Sequence, residues 1–134
     1  MKIGIDVHGV VDELSLFFIE LSRLFVAAGH EVHILTGRRQ SEIEPKLKMM
    51  GLQWTHFFSM TDYHESIGTP MTYGPHGNPW MDEDLWNRTK AEYAERVGLT
   101  IHFDDSDVYW PHFKTGYARV IPYRKVDEEI SFGK

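Results

Sequence analysis

The chain has 134 residues, enough for one domain with a proper core, and its 42% hydrophobic and 25% charged residues are an ordinary globular balance. The net charge is −6 with no basic run, which argues against a nucleic-acid backbone as the main partner. There is no cysteine, so disulfides and thiolate chemistry are excluded, and no apolar run approaches transmembrane length.

Met1-Lys2-Ile3 leads straight into a strand with no signal-peptide core, so the expected compartment is the cytoplasm, with no membrane partner. The first strand is read over residues 2–7, apolar on both faces as in a central parallel strand, with Asp6 near its carboxyl end. Gly9 supplies a tight turn, and Asp12 is the expected N-cap of a helix whose apolar residues run from Leu14 to Ala28, ended by Gly29. A second strand, 31–35, ends at Thr36-Gly37. A helix over 40–50 follows, with Ser41 and Glu44 resembling a capping box and Pro45 late in its first turn. A third strand is read over 53–59. From Met60 to Trp80 the periodicity dissolves among Gly68, Pro70, Gly74, Pro75, Gly77 and Pro79, which reads as a long irregular loop. A helix opens near Asp82 and runs to Val97. A fourth strand, 99–103, runs into Asp104-Asp105, and a turn at Pro111 leads to a fifth strand over 117–121. The tail from Tyr123 is charged and expected to fray.

This order implies a single α/β domain, a three-layer sandwich around a five-stranded, mostly parallel sheet. Right-handed crossovers put the first strand at the centre, the next two on one side and the last two on the other. The switch point then lies between the first and fourth strands, where Asp6, Asp104 and Asp105 meet in one crevice.

Clustered carboxylates repel unless a cation compensates, and oxygen ligands without cysteine favour a hard ion such as Mg²⁺. Carboxylates, Mg²⁺, the Thr36 hydroxyl and Lys90 together suit phosphoryl transfer, whose burden is mostly electrostatic. Lys114 and Arg88 are alternatives to Lys90. Arg38 and Arg39 are either phosphate ligands or solvated residues at a helix start.

The stretches Asp6-Val7-His8-Gly9-Val10-Val11-Asp12, Leu35-Thr36-Gly37, Lys90 and Phe103-Asp104-Asp105 resemble, in order and spacing, the four motifs of the haloacid dehalogenase superfamily, over residues 2–121. The resemblance implies a Rossmannoid fold and Mg²⁺-dependent hydrolysis of a phosphate monoester through an aspartyl-phosphate. Asp6 would be the nucleophile and a metal ligand. Thr36, with Gly37 and Arg38 beside it, would bind the phosphoryl oxygens, and Lys90 would neutralise their charge. Asp105 would hold the metal, with Asp104 as a second ligand or supporting partner, and the main-chain carbonyl of His8 would complete the set. Phosphatases of the family usually carry aspartate two residues after the nucleophile, as acid and base. Here His8 stands there, and histidine exchanges protons near neutral pH. Either His8 replaces that aspartate or the protein hydrolyses only substrates with good leaving groups; the competing reading is a catalytically impaired phosphate- or nucleotide-binding protein on the same fold. Metal-free dehalogenation is disfavoured by Asp104-Asp105.

Between Asp12 and Gly29 there is room for one helix and no lid, and 60–80 is too short for a folded one, so the site is expected to be open or covered by that loop. Open sites in the superfamily tend to serve larger substrates. The partner is therefore a phosphorylated molecule, small or large, and the sequence does not fix the oligomeric state. The other histidines show no ligand spacing. The aromatics Trp54, Phe57, Phe58, Tyr63, Tyr73 and Trp80 read as core residues, loop anchors or stacking surfaces for a base or sugar.

Overall fold

The computed structural model describes residues 1–121; the expected fraying of the tail lies outside them. Its centre is β1 (Lys2–Ile5), which pairs in parallel with β2 (Glu31–Thr36) and β6 (Ile101–Asp104). Outside these lie β3 (His56–Ser59) beside β2 and β7 (Gly116–Arg119) beside β6. The order is β3-β2-β1-β6-β7 and all five strands are parallel. This is the expected topology, with the switch point between β1 and β6.

Side-chain alternation sorts the strands into two faces. Ile3, Ile5, Val32 and Ile34 point to one face and pack with Phe18 of α1 (Ser15–Ala27) and with Ile43 and Leu47 of α2 (Gln40–Met50). Leu35 and Phe58 point to the other and pack with Tyr93 and Ala94 of α4 (Glu83–Val97). The result is a Rossmann-like three-layer domain. No helix among the described residues is long and apolar enough to cross a membrane.

The second face also carries polar groups. Gly4 sits in register between His33 and His102, and a Cβ there would stand 2.6 Å from His102 Nδ1. Absence of a side chain at residue 4 is what admits the His102 ring.

Two helix starts differ from expectation. Asp12 does not cap α1, whose N-cap is Leu14; its Oδ1 instead accepts the Gly9 N–H at 2.6 Å and closes the turn. Ser41 and Glu44 form no capping box: the first amide of α2, Gln40 N–H, donates to Asp62 Oδ2 at 3.0 Å. A carboxylate from elsewhere in the chain satisfies that helix end.

The larger correction concerns 60–80, which is not an irregular loop. It holds α3 (Met60–Ser66) and a hairpin of β4 (Thr72–Tyr73) and β5 (Pro79–Trp80). Helix α3 buries Met60, Thr61 and His64, a mostly polar face that hides its period from a hydrophobicity reading. Its start was legible: Ser59 caps it by accepting the Asp62 N–H at 3.1 Å. The hairpin is tethered by one network. Arg39 makes a two-pronged ion pair with Glu65, one arm at 2.8 Å, its guanidinium lies 5.6 Å from the Tyr73 ring centre, and Tyr73 donates its hydroxyl to Glu65.

Candidate active site

The carboxyl ends of the parallel strands face one cleft of about 360 Å³. Asp6, His8, Thr36, Gly37, Arg38, Lys90, Asp104 and Asp105, all read from the sequence as candidates, line it, and Arg39 does not. Asp6 directly follows β1, and its N–H extends the ladder to Phe103 O at 2.9 Å. Lys90 reaches in from α4, only 2% exposed, and its Nζ donates to Asp6 Oδ1 at 3.0 Å and to Asp104 Oδ2 at 2.7 Å. The alternatives to it are occupied elsewhere: Arg88 pairs with Asp84 and Glu92, and Lys114 with Glu95.

Asp104 is held on all sides. Besides Lys90, its Oδ2 accepts from His102 Nε2 at 2.9 Å, and its Oδ1 accepts the Ser106 N–H at 3.1 Å. Because a carboxylate only accepts, Nε2 is the protonated nitrogen of His102, and burial pushes this imidazole toward its neutral form. Asp104 is thus placed to orient Lys90. The Asp105 carboxylate instead lies against Gly9, where a Cβ would overlap it.

One ammonium faces three carboxylates. Burial pushes the Asp6 carboxyl up, Lys90 pulls it back, and Asp104 and Asp105 push it up again, leaving it at about 7. Burial also acts to raise Asp104, but the bond from His102 and the charge of Lys90 outweigh it and hold it well below the ordinary carboxylate range. Burial acts to lower Lys90, but Asp6 and Asp104 hold it above an ordinary amine. The Asp6–Lys90 ion pair and the upward shift of Asp6 pull in opposite senses. The upward direction stands, because Asp104 has the shorter contact to the shared ammonium and further donors of its own.

Asp6, Asp104 and Asp105 each offer a carboxylate oxygen within 4.8 Å of the others. An all-oxygen, net-negative cluster with two buried members fits a hard divalent cation such as Mg²⁺. A second cluster, Glu31, His33 and His56, does not fit a metal. The two imidazoles stack face to face, ring centres 4.2 Å apart and planes 4° from parallel, so their in-plane lone pairs do not converge. His33 is instead bonded to Tyr93 and Glu31.

Thr36 ends β2, buried, with its Oγ1 accepting the Arg38 N–H at 3.3 Å. Thr61 of α3 donates to Gly37 O at 2.6 Å and fixes the turn from the far side. Arg38 stays at the cleft, 4.0 Å from Glu42, whereas Arg39 turns away to the hairpin network. His8 lies at the rim, its side chain 55% exposed and its Nδ1 3.5 Å from Asp12 Oδ2.

No family model, curated protein or solved structure matches this chain. The functional reading therefore rests on the chemistry of the cleft itself.

Sequence reasoning missed several walls of that cleft. Asn78 and Pro79 come from the hairpin, and Trp86 and Tyr109 from α4 and the turn after β6. Tyr109 has its ring centre 4.8 Å from Lys90 Nζ and its hydroxyl 3.3 Å from Trp86 Nε1. Spacing alone carries no signal for Tyr109, since only the fold brings residue 109 to residue 90.

Proposed function

We propose that this protein is a Mg²⁺-dependent phosphatase, built like the haloacid dehalogenase superfamily, that hydrolyses a phosphate monoester through an aspartyl-phosphate on Asp6. The observation that carries the reading is the buried Lys90 ammonium bridging Asp6 and Asp104 at the floor of the cleft, with Asp105 beside them. A structural ion pair has no need of a third carboxylate, a strand-end cleft and a buried threonine hydroxyl at the same edge. Asp6, Asp104 and Asp105 would hold the ion, which when bound supplies positive charge to the transferring phosphoryl oxygens.

In the first step an Asp6 oxygen attacks phosphorus, the ester P–O bond breaks, and the alcohol leaves with a proton from His8. In the second step water attacks the same phosphorus, gives a proton to His8, and breaks the bond to Asp6. Inorganic phosphate leaves and the Asp6 carboxylate is restored. Lys90 offsets charge on Asp6 and the phosphoryl group, Thr36 donates its hydroxyl to a phosphoryl oxygen, and Arg38 meets the same group from the rim.

Phosphate release from p-nitrophenyl phosphate, with and without Mg²⁺, tests the reading. Release is expected with Mg²⁺ and abolished in Asp6→Asn; retained activity in that variant would remove Asp6 as nucleophile. A second reading, phosphate or nucleotide binding without turnover, is favoured by the histidine at residue 8. It predicts saturable phosphate binding with no release from any ester.

A further inference from the structure

We infer that a second cavity, which shares Pro79, Trp86 and Tyr109 with the cleft and is walled by Trp80, receives the nucleobase of a nucleoside monophosphate. This rests on the phosphatase reading and names its substrate class. The cavity measures about 450 Å³ and shares Pro79, Trp86 and Tyr109 with the cleft, so the two lie side by side at these residues. Both volumes lie in the range of small-molecule sites, roughly 300–1,000 Å³.

Its chemistry selects a flat, neutral group. Trp80, Trp86 and Tyr109 supply aromatic surface, and no lysine, arginine or histidine lines it, so a second phosphate has no partner there. Glu83 and Asn87 also line it, a carboxylate that accepts and an amide that both donates and accepts, as the edge of a base requires. The ring of Tyr109 connects the two subsites, because its other neighbour is Lys90.

Among the described residues Trp80 is the most exposed of the large aromatic side chains. It is 66% exposed, whereas folding ordinarily puts most of an indole out of water. The hairpin holds it there deliberately: a Cβ at Gly74 would come within 3.1 Å of the Trp80 Nε1, and Tyr73 is tied to Glu65 and Arg39. A solvent-facing indole beside a phosphoryl site can serve as a stacking platform.

The test compares kcat/KM for the four ribonucleoside 5′-monophosphates, ribose 5-phosphate and p-nitrophenyl phosphate, in Mg²⁺, for wild type, Trp80→Ala and Trp80→Phe. At least one nucleotide is expected to exceed ribose 5-phosphate by on the order of tenfold. Trp80→Ala should erase that ratio, mainly through KM, and Trp80→Phe should keep most of it. An unchanged ratio in Trp80→Ala, or a loss confined to the aryl phosphate, overturns the inference. Equilibrium dialysis of the same nucleotides against Asp6→Asn, with and without Trp80→Ala, separates the two readings. Binding that depends on Trp80 with no release from any ester keeps the base subsite and removes the phosphatase. Release from every ester without base preference does the reverse.

Discussion

The Asp105 carboxylate lies so close to Gly9 that a Cβ at residue 9 would overlap it. Gly9 also has φ +82°, in the left-handed region, and donates its N–H to Asp12 Oδ1. The turn after Asp6 is therefore shaped both to reverse the chain and to seat an acid from a different strand end. Gly9→Ala is expected to cost about 1–2 kcal/mol in backbone strain alone. It should also displace Asp105, lowering Mg²⁺-dependent phosphate release by more than the stability loss accounts for. Urea titration and activity across a Mg²⁺ titration, on the same sample, separate the two effects; full activity with an unchanged Mg²⁺ dependence in a destabilised variant would detach Asp105 from the chemistry.

Lys90 is the only cation within hydrogen-bonding reach of the buried Asp6–Asp104 pair among the described residues. Lys90→Met should destabilise by about 3–5 kcal/mol, the cost of leaving buried charge uncompensated. Adding Asp104→Asn should recover part of that loss, because it removes one stranded charge while the amide oxygen still accepts from His102. Additive losses in denaturant titrations of the double variant would mean that Lys90 stabilises through packing rather than charge.

What was legible in the sequence follows from which signals are local. Asp6, Thr36 and Asp104 were readable because each ends an apolar strand, and Lys90 because it lies on the helix that leads into the next one. The topology was readable because strands and helices alternate. Helix α3 was not, because its buried face is built from Met60, Thr61 and His64, and the two polar members hide the apolar period. The caps at Asp12 and Ser41 failed for another reason: the local turn had already engaged Asp12 with the Gly9 amide, and the fold had brought the Asp62 carboxylate to the amide that opens α2. Tyr109 at the Lys90 ammonium is a long-range contact with no spacing rule behind it.

His64 and His33 make stability depend on pH. Thr89 gives its hydroxyl hydrogen to Leu85 O, so it must accept from His64 Nε2–H, and Nδ1 then accepts from Thr69. That satisfies the neutral ring, and burial lowers its pKa from 6.5, with Glu92 offsetting part of the shift. Burial lowers His33 as well, against the opposing bond from Glu31. For a lowered histidine the unfolded chain binds more protons, so the stabilisation is complete above 6.5 and lost as pH falls through the folded values. Asp6, raised to about 7, takes up its proton first in the folded chain and gives the opposite slope, so the histidine contribution is read as a difference: from pH 7 to pH 5 the unfolding free energy of His64→Gln should fall less, or rise more, than that of the wild type. A slope unchanged by the substitution would exclude His64 as a contributor.

The hairpin should be loosened from outside the cleft. Arg39 touches Glu65 and the Tyr73 ring but does not line the cleft. In Arg39→Ala, amide hydrogen exchange across residues 72–80 should quicken while the strand amides keep their protection. Unchanged exchange would show that the hairpin is held by its own pairing and not by the tether.

His8 decides between turnover and binding. Its ring is at the cleft rim, with Nδ1 3.5 Å from Asp12, an arrangement in which a carboxylate can orient an exchanging imidazole. A proton donor matters most when the leaving group is a poor one. His8→Ala should therefore lower kcat/KM, which reports the steps up to departure of the alcohol and not the later attack of water, by on the order of 10²-fold for an alkyl phosphate. The loss on p-nitrophenyl phosphate, whose phenolate leaves without a proton, should be far smaller. Equal losses on both substrates would make His8 a positioning residue. If the wild type turns over neither substrate and His8→Asp turns over both, the histidine is what silences the site, and the protein binds its phosphorylated ligand without cleaving it.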